Sequence, residues 1–152
     1  MKEITGDLWD YANDGIIVIT TNGALNSRGE CVMGRGTAAQ AKNRYRGIAK
    51  QLGTLIKVYG NHVTALTTVE GAKLIAFPVK HHWAERADPK LIVQSVRELK
   101  SLIDSESRER GAGTAVFMPR PGCGNGGLTW DVVSPMLRDI LDNRFTIVER
   151  HP

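Results

Sequence analysis

Residues 15–21, GIIVITT, constrain this chain more than any other segment. After Gly15 every residue is β-branched, four of them apolar in succession, so a strand made from the run offers no face to water and has to be covered on both sides. It ends at Asn22-Gly23, a pair that turns the chain into a loop. Residues 114–118 read as another buried strand. Buried strands that alternate with helical segments call for a sheet with helices packed on each face.

The helical segments are present. Residues 37–52 (TAAQAKNRYRGIAKQL) are helical in composition, open just after Gly36 and stop at Gly53, a typical C-terminal glycine. Asp88 and Pro89 supply an N-cap and a first-turn proline, after which Leu91, Ile92, Val96, Leu99, Leu102 and Ile103 recur at helical spacing. That helix ends in a charged, exposed segment, Arg108-Glu109-Arg110-Gly111. Residues 63–69 and 73–79 flank Glu70-Gly71 as a hairpin, a helix starts at Ser134-Pro135, and residues 145–148 close the chain as a strand. The expectation is one α/β domain over residues 1–152, three layers (α/β/α) around a central mixed, mostly parallel sheet.

A chain of 152 residues is long enough for one core without disulfides or metal. Cys31 and Cys123 lie far apart, in neither a disulfide framework nor zinc-ligand spacing, so reduced thiols and no metal or cofactor are expected. No apolar run approaches the roughly 18 residues of a membrane span, and Met1-Lys2-Glu3-Ile4 does not open a signal peptide. These features lead us to expect a cytoplasmic monomer.

Charge and glycine are unevenly placed. No Asp or Glu occurs between residues 31 and 69, where Arg35, Lys42, Arg44, Arg46, Lys50 and Lys57 contribute six positive charges. The chain has 20 Lys and Arg against 16 Asp and Glu, so the other 14 bases face 16 acids and the net +4 is a basic stretch on a mildly acidic body. Such a stretch is either a solvated helix face or a surface that attracts phosphate. Gly122-Cys123-Gly124-Asn125-Gly126-Gly127 fits the pattern GxGxxG, but its strand is the penultimate one and too little chain follows for a second half-domain, which excludes a dinucleotide fold. What remains is the chemistry of glycine amides at a helix entrance, which favour an anion by roughly 0.3–2 kcal/mol per dipole contact. Met33-Gly34-Arg35-Gly36-Thr37 repeats the arrangement and adds a guanidinium, and two such loops suit a diphosphate.

Gly6-Asp7-Leu8, Thr21-Asn22-Gly23, Met33-Gly34-Arg35-Gly36 and the glycine loop followed by Trp130 together resemble a macrodomain, over essentially the whole chain. Residues 77–83 (FPVKHHW) and 124–130 (GNGGLTW) are similar to signatures of the DarG-like and ALC1-like branch. The resemblance implies an ADP-ribose cleft. Asp7 would accept from the adenine amino group with the Leu8 backbone beside it, and Asn22 would meet the distal ribose. Met33, Gly34, Arg35, Gly36 and Thr37 would line the distal ribose and diphosphate, and Gly122, Cys123, Gly124, Asn125, Gly126 and Gly127 would wrap the diphosphate. Arg120 and Trp130 are expected as wall residues.

In that branch a lysine after the central strand is linked to removal of ADP-ribose, and Lys80 holds this place. It can act as a neutral amine attacking the anomeric carbon or as a cation stabilising an oxygen. Asn22 is a second catalytic candidate. His82 is a third, two residues beyond Lys80 and on the same side if strand geometry continues, whereas Trp83 is expected to pack or stack. Some relatives carry an aspartate where this chain has Gly126, and no acid lies between Met118 and Asp131, which favours the DarG-like loop. DarG also has a toxin-binding region, and this chain stops after the macrodomain.

The implied function is a hydrolase that removes ADP-ribose from nucleic acid, as thymidine-linked ADP-ribose on single-stranded DNA, and so reverses a toxin's modification. Arg35, Lys42, Arg44 and Arg46 would contact the strand. Two alternatives stand beside it: a phosphatase of ADP-ribose 1″-phosphate, which needs the glycine loops but no basic strip, and a non-catalytic ADP-ribose-binding module in which Lys80 is incidental.

Overall fold

Residues 15–21 form the strand their composition requires. In a computed structural model that describes residues 1–110 and 113–151, strand β2 (Ile16–Asn22) lies inside a six-stranded sheet. The other strands are β1 (Lys2–Thr5), β3 (Thr64–Thr67), β4 (Lys73–Lys80), β5 (Val116–Met118) and β6 (Phe145–Glu149). Their order is β1-β6-β5-β2-β4-β3, parallel throughout except for the β3–β4 hairpin. Period-two alternation then sends Ile16 and Val18 to one face and Ile17 and Ile19 to the other, all buried.

Helices cover both faces. Helix α3 (Pro89–Arg110) and helix α4 (Trp130–Arg138) pack with Ile75, Phe77 and Val79 of β4, and Ile92, Val96, Leu99 and Ile103 of α3 lose all contact with solvent. Each such side chain contributes about 1.5–3 kcal/mol relative to an exposed one. Helix α1 (Gly36–Arg44), helix α2 (Ile48–Tyr59) and a 3-10 turn at Leu8–Tyr11 cover Leu74 and Ala76 on the opposite face. This is the three-layer α/β/α arrangement around a mostly parallel sheet. Among the described residues no helix is long and apolar enough to cross a membrane.

Four sequence expectations change. The helix expected over residues 37–52 is two helices, because the chain leaves helical geometry at Tyr45 and passes through Gly47 with φ +83° before α2 begins. Gly53 lies inside α2, where a Cβ would sit 2.0 Å from the Gly29 carbonyl oxygen; the helix stops at Gly60. Helix α4 starts at Trp130 and carries Pro135 within it. Strand β1, which has no buried residue, was not expected from its short and polar sequence; it gains its place by pairing in parallel with β6. At the end of α3, Arg108 and Glu109 are exposed and Gly111 lies outside the described residues.

Candidate functional site

The carboxyl ends of the parallel strands converge on one edge of the sheet, the position where open α/β folds bind ligands. Two cavities lie there. The larger, about 810 Å3, runs between the Gly6–Leu8 region, the start of α1, the strand β5 exit and the segment from Val148 to His151. The smaller, about 180 Å3, is enclosed by Asn22, residues 32–35, Lys80, Trp83 and the 122–126 loop. They share Gly124, and on the facing wall Arg35 of one adjoins Gly36 of the other, so together they form one cleft. A separate hollow of about 540 Å3, bordered by Gly15, Lys73 and Ala115, lies at the opposite end of the sheet.

The cleft is lined with backbone donors that have no protein acceptor. Neither α1 nor α4 has a side-chain N-cap, and among the described residues the amides of Gly34, Arg35, Gly36, Gly124, Asn125 and Gly126 donate to no protein group. Helix N-termini and adjacent free amides are positive in character and favour an anion. The glycines divide into two kinds. Gly122 has φ +74°, and a Cβ on Gly126 would lie 2.4 Å from the Gly122 carbonyl oxygen, so both are required by the loop itself. Gly34 and Gly124 have no positive φ and nothing within 4 Å of a built Cβ, so at these two positions the missing side chain leaves room in the cleft and serves no internal packing.

Lys80 is placed by strand register. Pro78 removes one ladder donor, and the β2–β4 pairing slips by one residue just beyond it, leaving Asn22 opposite Lys80. The Pro78 carbonyl accepts from buried Ser95 Oγ at 2.7 Å, which ties α3 to this end of β4. Lys80 Nζ donates to the carbonyl oxygens of Asn125 (3.2 Å) and Trp83 (3.5 Å), bridging β4 to the glycine loop. The Asn22 side chain is held at both ends: Nδ2 donates to Val32 O and Oδ1 accepts from Ala24 N, both at 2.9 Å. It holds the 22–33 loop over the cleft.

At the other end, Asp7 is exposed and its Oδ1 accepts from Trp9 N at 2.9 Å, which caps the 3-10 turn; buried Leu8 follows it. Thr37 Oγ1 accepts from Thr20 N at 3.1 Å and pins the start of α1 to β2. The Arg120 guanidinium lies 4.9 Å from the Trp130 ring centre and pairs with Glu149 at 3.1 Å, while Trp130 Nε1 donates to Glu3. The Arg138 hydrogen bond holds the Glu3 carboxyl below its ordinary range. Burial pushes the Cys31 thiol up to about 11 and raises that of Cys123, so neither is a ready thiolate nucleophile.

Of the residues named from sequence for the ADP-ribose site, all but Gly127 and His82 line the cleft. Of those named for strand contact only Arg35 does, because Lys42 and Arg44 sit in the last turn of α1 and Arg46 beyond it, with Arg44 lying 4.7 Å from the Trp9 ring centre. Gly127 holds the loop from outside, its carbonyl accepting from Arg86 at 2.7 Å. Strand β4 ends at Lys80, so the alternation that would align His82 with it does not continue; His82 Nδ1 accepts from Ala84 N at 3.2 Å, and His81 pairs with Asp88 at 2.8 Å. Trp83, not His82, lines the cavity that holds Lys80. Gln40, which accepts from the Trp9 indole at 2.8 Å, and Asn61, whose Nδ2 donates to the Lys80 carbonyl at 2.9 Å, complete the surroundings. Neither is in a motif, and no pattern in the sequence marks them.

No protein-family model matches this sequence, and no curated protein matches it significantly. Solved structures do. The macrodomain of Mycobacterium tuberculosis DarG matches at 28% identity and TM-score 0.75, over 100% of this chain and 99% of that one. The macrodomain of Thermus aquaticus DarG matches at 20% identity and TM-score 0.78, over 99% and 97%. Thermosipho africanus DarTG in complex with ADP-ribose matches at 20% identity and TM-score 0.74, over 95% of this chain and 40% of that one.

Proposed function

The chain is a macrodomain similar to those of DarG, and on that premise we propose that it binds ADP-ribose along the cleft and hydrolyses the bond joining it to a base in single-stranded DNA. The adenosine occupies the larger cavity beside Asp7 and Leu8. The diphosphate lies against the unpaired amides at the start of α1 and in the 122–127 loop, where Gly34 and Gly124 leave it room. The distal ribose enters the smaller cavity and meets Lys80. The observation that carries this reading is a lysine amine placed by two carbonyl oxygens at one end of a cleft of free amides.

Hydrolysis breaks the bond between the anomeric carbon and the base nitrogen. The electron pair leaves on the base, which takes up a proton, and water supplies the hydroxyl to the sugar. Two hydrogens of Lys80 Nζ are committed to the Asn125 and Trp83 carbonyls. In the charged form a third N–H is therefore left to meet the charge that develops on an oxygen of the reacting group, and we assign Lys80 that donor role. Asn22 shapes the ribose subsite by holding its loop, and His82 takes no part in the chemistry.

The six cations of residues 31–69 are exposed, and none is within 4.0 Å of a described carboxylate. Such a face suits a polyanionic acceptor strand. The test is incubation with single-stranded DNA carrying ADP-ribose on thymidine. Wild type should release free ADP-ribose; Lys80→Ala should slow release by about a hundredfold or more while binding ADP-ribose within a few-fold of wild type. Binding without release by the wild type would make the chain a reader and overturn the hydrolase.

A further inference from the structure

Resting on the nucleic-acid reading above, we propose that Trp83 is the platform on which the acceptor base stacks, so that this chain selects ADP-ribose attached to a planar nucleobase over ADP-ribose attached to an amino-acid side chain. Trp83 is 56% exposed and belongs to neither apolar core. The other two tryptophans are committed within the fold: Trp9 is buried with its N–H on Gln40, and Trp130 bonds Glu3 under the Arg120 guanidinium. Among the described residues, the Trp83 indole N–H has no partner. An exposed large aromatic with no packing duty points to a binding role.

Its position names what it meets. Trp83 lines the same cavity as Lys80, and its own carbonyl helps to hold the Lys80 amine. A group attached to the anomeric carbon at Lys80 would lie beside this exposed indole. The loop that carries Trp83 is fixed at several points: Asp88 N donates to Val79 O at 2.8 Å, Ala87 N to Gly126 O at 2.9 Å, and Arg86 to Gly127 O. The His82 ring lies 5.3 Å from the indole at 34° and braces it. A ring held in this way loses little freedom when a second ring lies on it. A planar base gains stacking of a size well known for exposed tryptophans, whereas an aliphatic acidic side chain offers no matching plane.

The experiment uses single-turnover release from the ADP-ribosylated thymidine oligonucleotide with protein in excess, and calorimetric binding of free ADP-ribose. Trp83→Ala should raise the protein concentration for half-maximal release by about 5- to 150-fold, Trp83→Phe should recover most of this, and the loss toward the oligonucleotide should exceed any loss toward free ADP-ribose by about fivefold or more. Equal weakening toward free ADP-ribose, or no change toward the oligonucleotide, overturns the proposal. So does an equal Trp83→Ala effect on a peptide carrying ADP-ribose on a glutamate. Should wild type release nothing, direct binding decides: tighter binding of the intact oligonucleotide than of free ADP-ribose, lost in Trp83→Ala, keeps the platform while the hydrolase reading falls.

Discussion

Glycine has two distinct uses in this cleft, and a motif cannot separate them. GxGxxG marks Gly124 and passes over Gly126, yet Gly126 is closed in by the Gly122 backbone at 2.4 Å while Gly124 faces open space. Gly126→Ala should therefore destabilise the fold, visible as a lowered Tm. Gly124→Ala should leave Tm unchanged or slightly higher, because alanine restricts the unfolded chain, while ADP-ribose affinity falls on the order of tenfold as the methyl enters the cleft. Thermal denaturation and calorimetry on the same two variants check both halves, and loss of Tm without loss of affinity for Gly124→Ala would refute the assignment. At this scale the sequence was informative wherever a residue type has few uses, as with the clustered glycines and Lys80 after a buried strand. It was uninformative about Asn22 and His82, because a polar side chain's partner depends on loop geometry: Asn22 bonds Val32 and Ala24, and the strand that would align His82 ends at Lys80.

Among the elements, helix α3 and strand β6 are joined by a single guanidinium. Arg144 donates to both Asp142 oxygens at 3.0 and 2.8 Å, to Asp104 at 2.6 Å and to Ser107 at 3.0 Å. The Arg144 hydrogen bond is the main cause that lowers the Asp142 carboxyl to about 2, and the Lys100 and Arg144 hydrogen bonds lower that of Asp104. A carboxyl depressed in the folded state stabilises above its unfolded pKa, about 3.9, and loses that contribution as pH falls toward the folded value. Arg144→Met should consequently show a lower Tm than wild type at pH 7, with the gap closing between pH 4 and pH 2. A gap that stays constant over this window would mean that the cluster does not couple to folding. The boundaries of these elements were harder to read than their existence. Buried Tyr45, Ile48 and Leu52 keep an apolar rhythm across the α1–α2 break, so periodicity runs through a turn that only the left-handed Gly47 reveals.

On the scale of the whole molecule, the net +4 resolves into six exposed cations on and around α1 and α2, of which Arg35 borders the cavity that holds Lys80 and Arg44 lies over the Trp9 ring. If about four of these charges meet phosphates of a single strand, log affinity for the modified oligonucleotide should fall with log salt at a slope near −3, at about 0.7 per contact. Free ADP-ribose should show a shallower slope, and Lys42→Ala or Arg46→Ala should each reduce the oligonucleotide slope by about 0.7 without changing the other. Titrations at several salt concentrations check this, and equal slopes for both ligands would remove the strand from the account.

The placement of β6 between β1 and β5 carries a consequence for synthesis. The end of the cleft proposed for the adenosine is assembled from the Gly6–Leu8 region and from Val148 to His151, and β1 can pair only after β6 exists. A ribosome-bound chain that has exposed everything up to residue 144 thus holds the free amides of both loops but lacks the wall proposed to close over the adenine. On the proposed function, chains stalled on the ribosome at residue 144 should fail to retain ADP-ribose while chains released past residue 149 retain it, which a filter-binding comparison of the two checks.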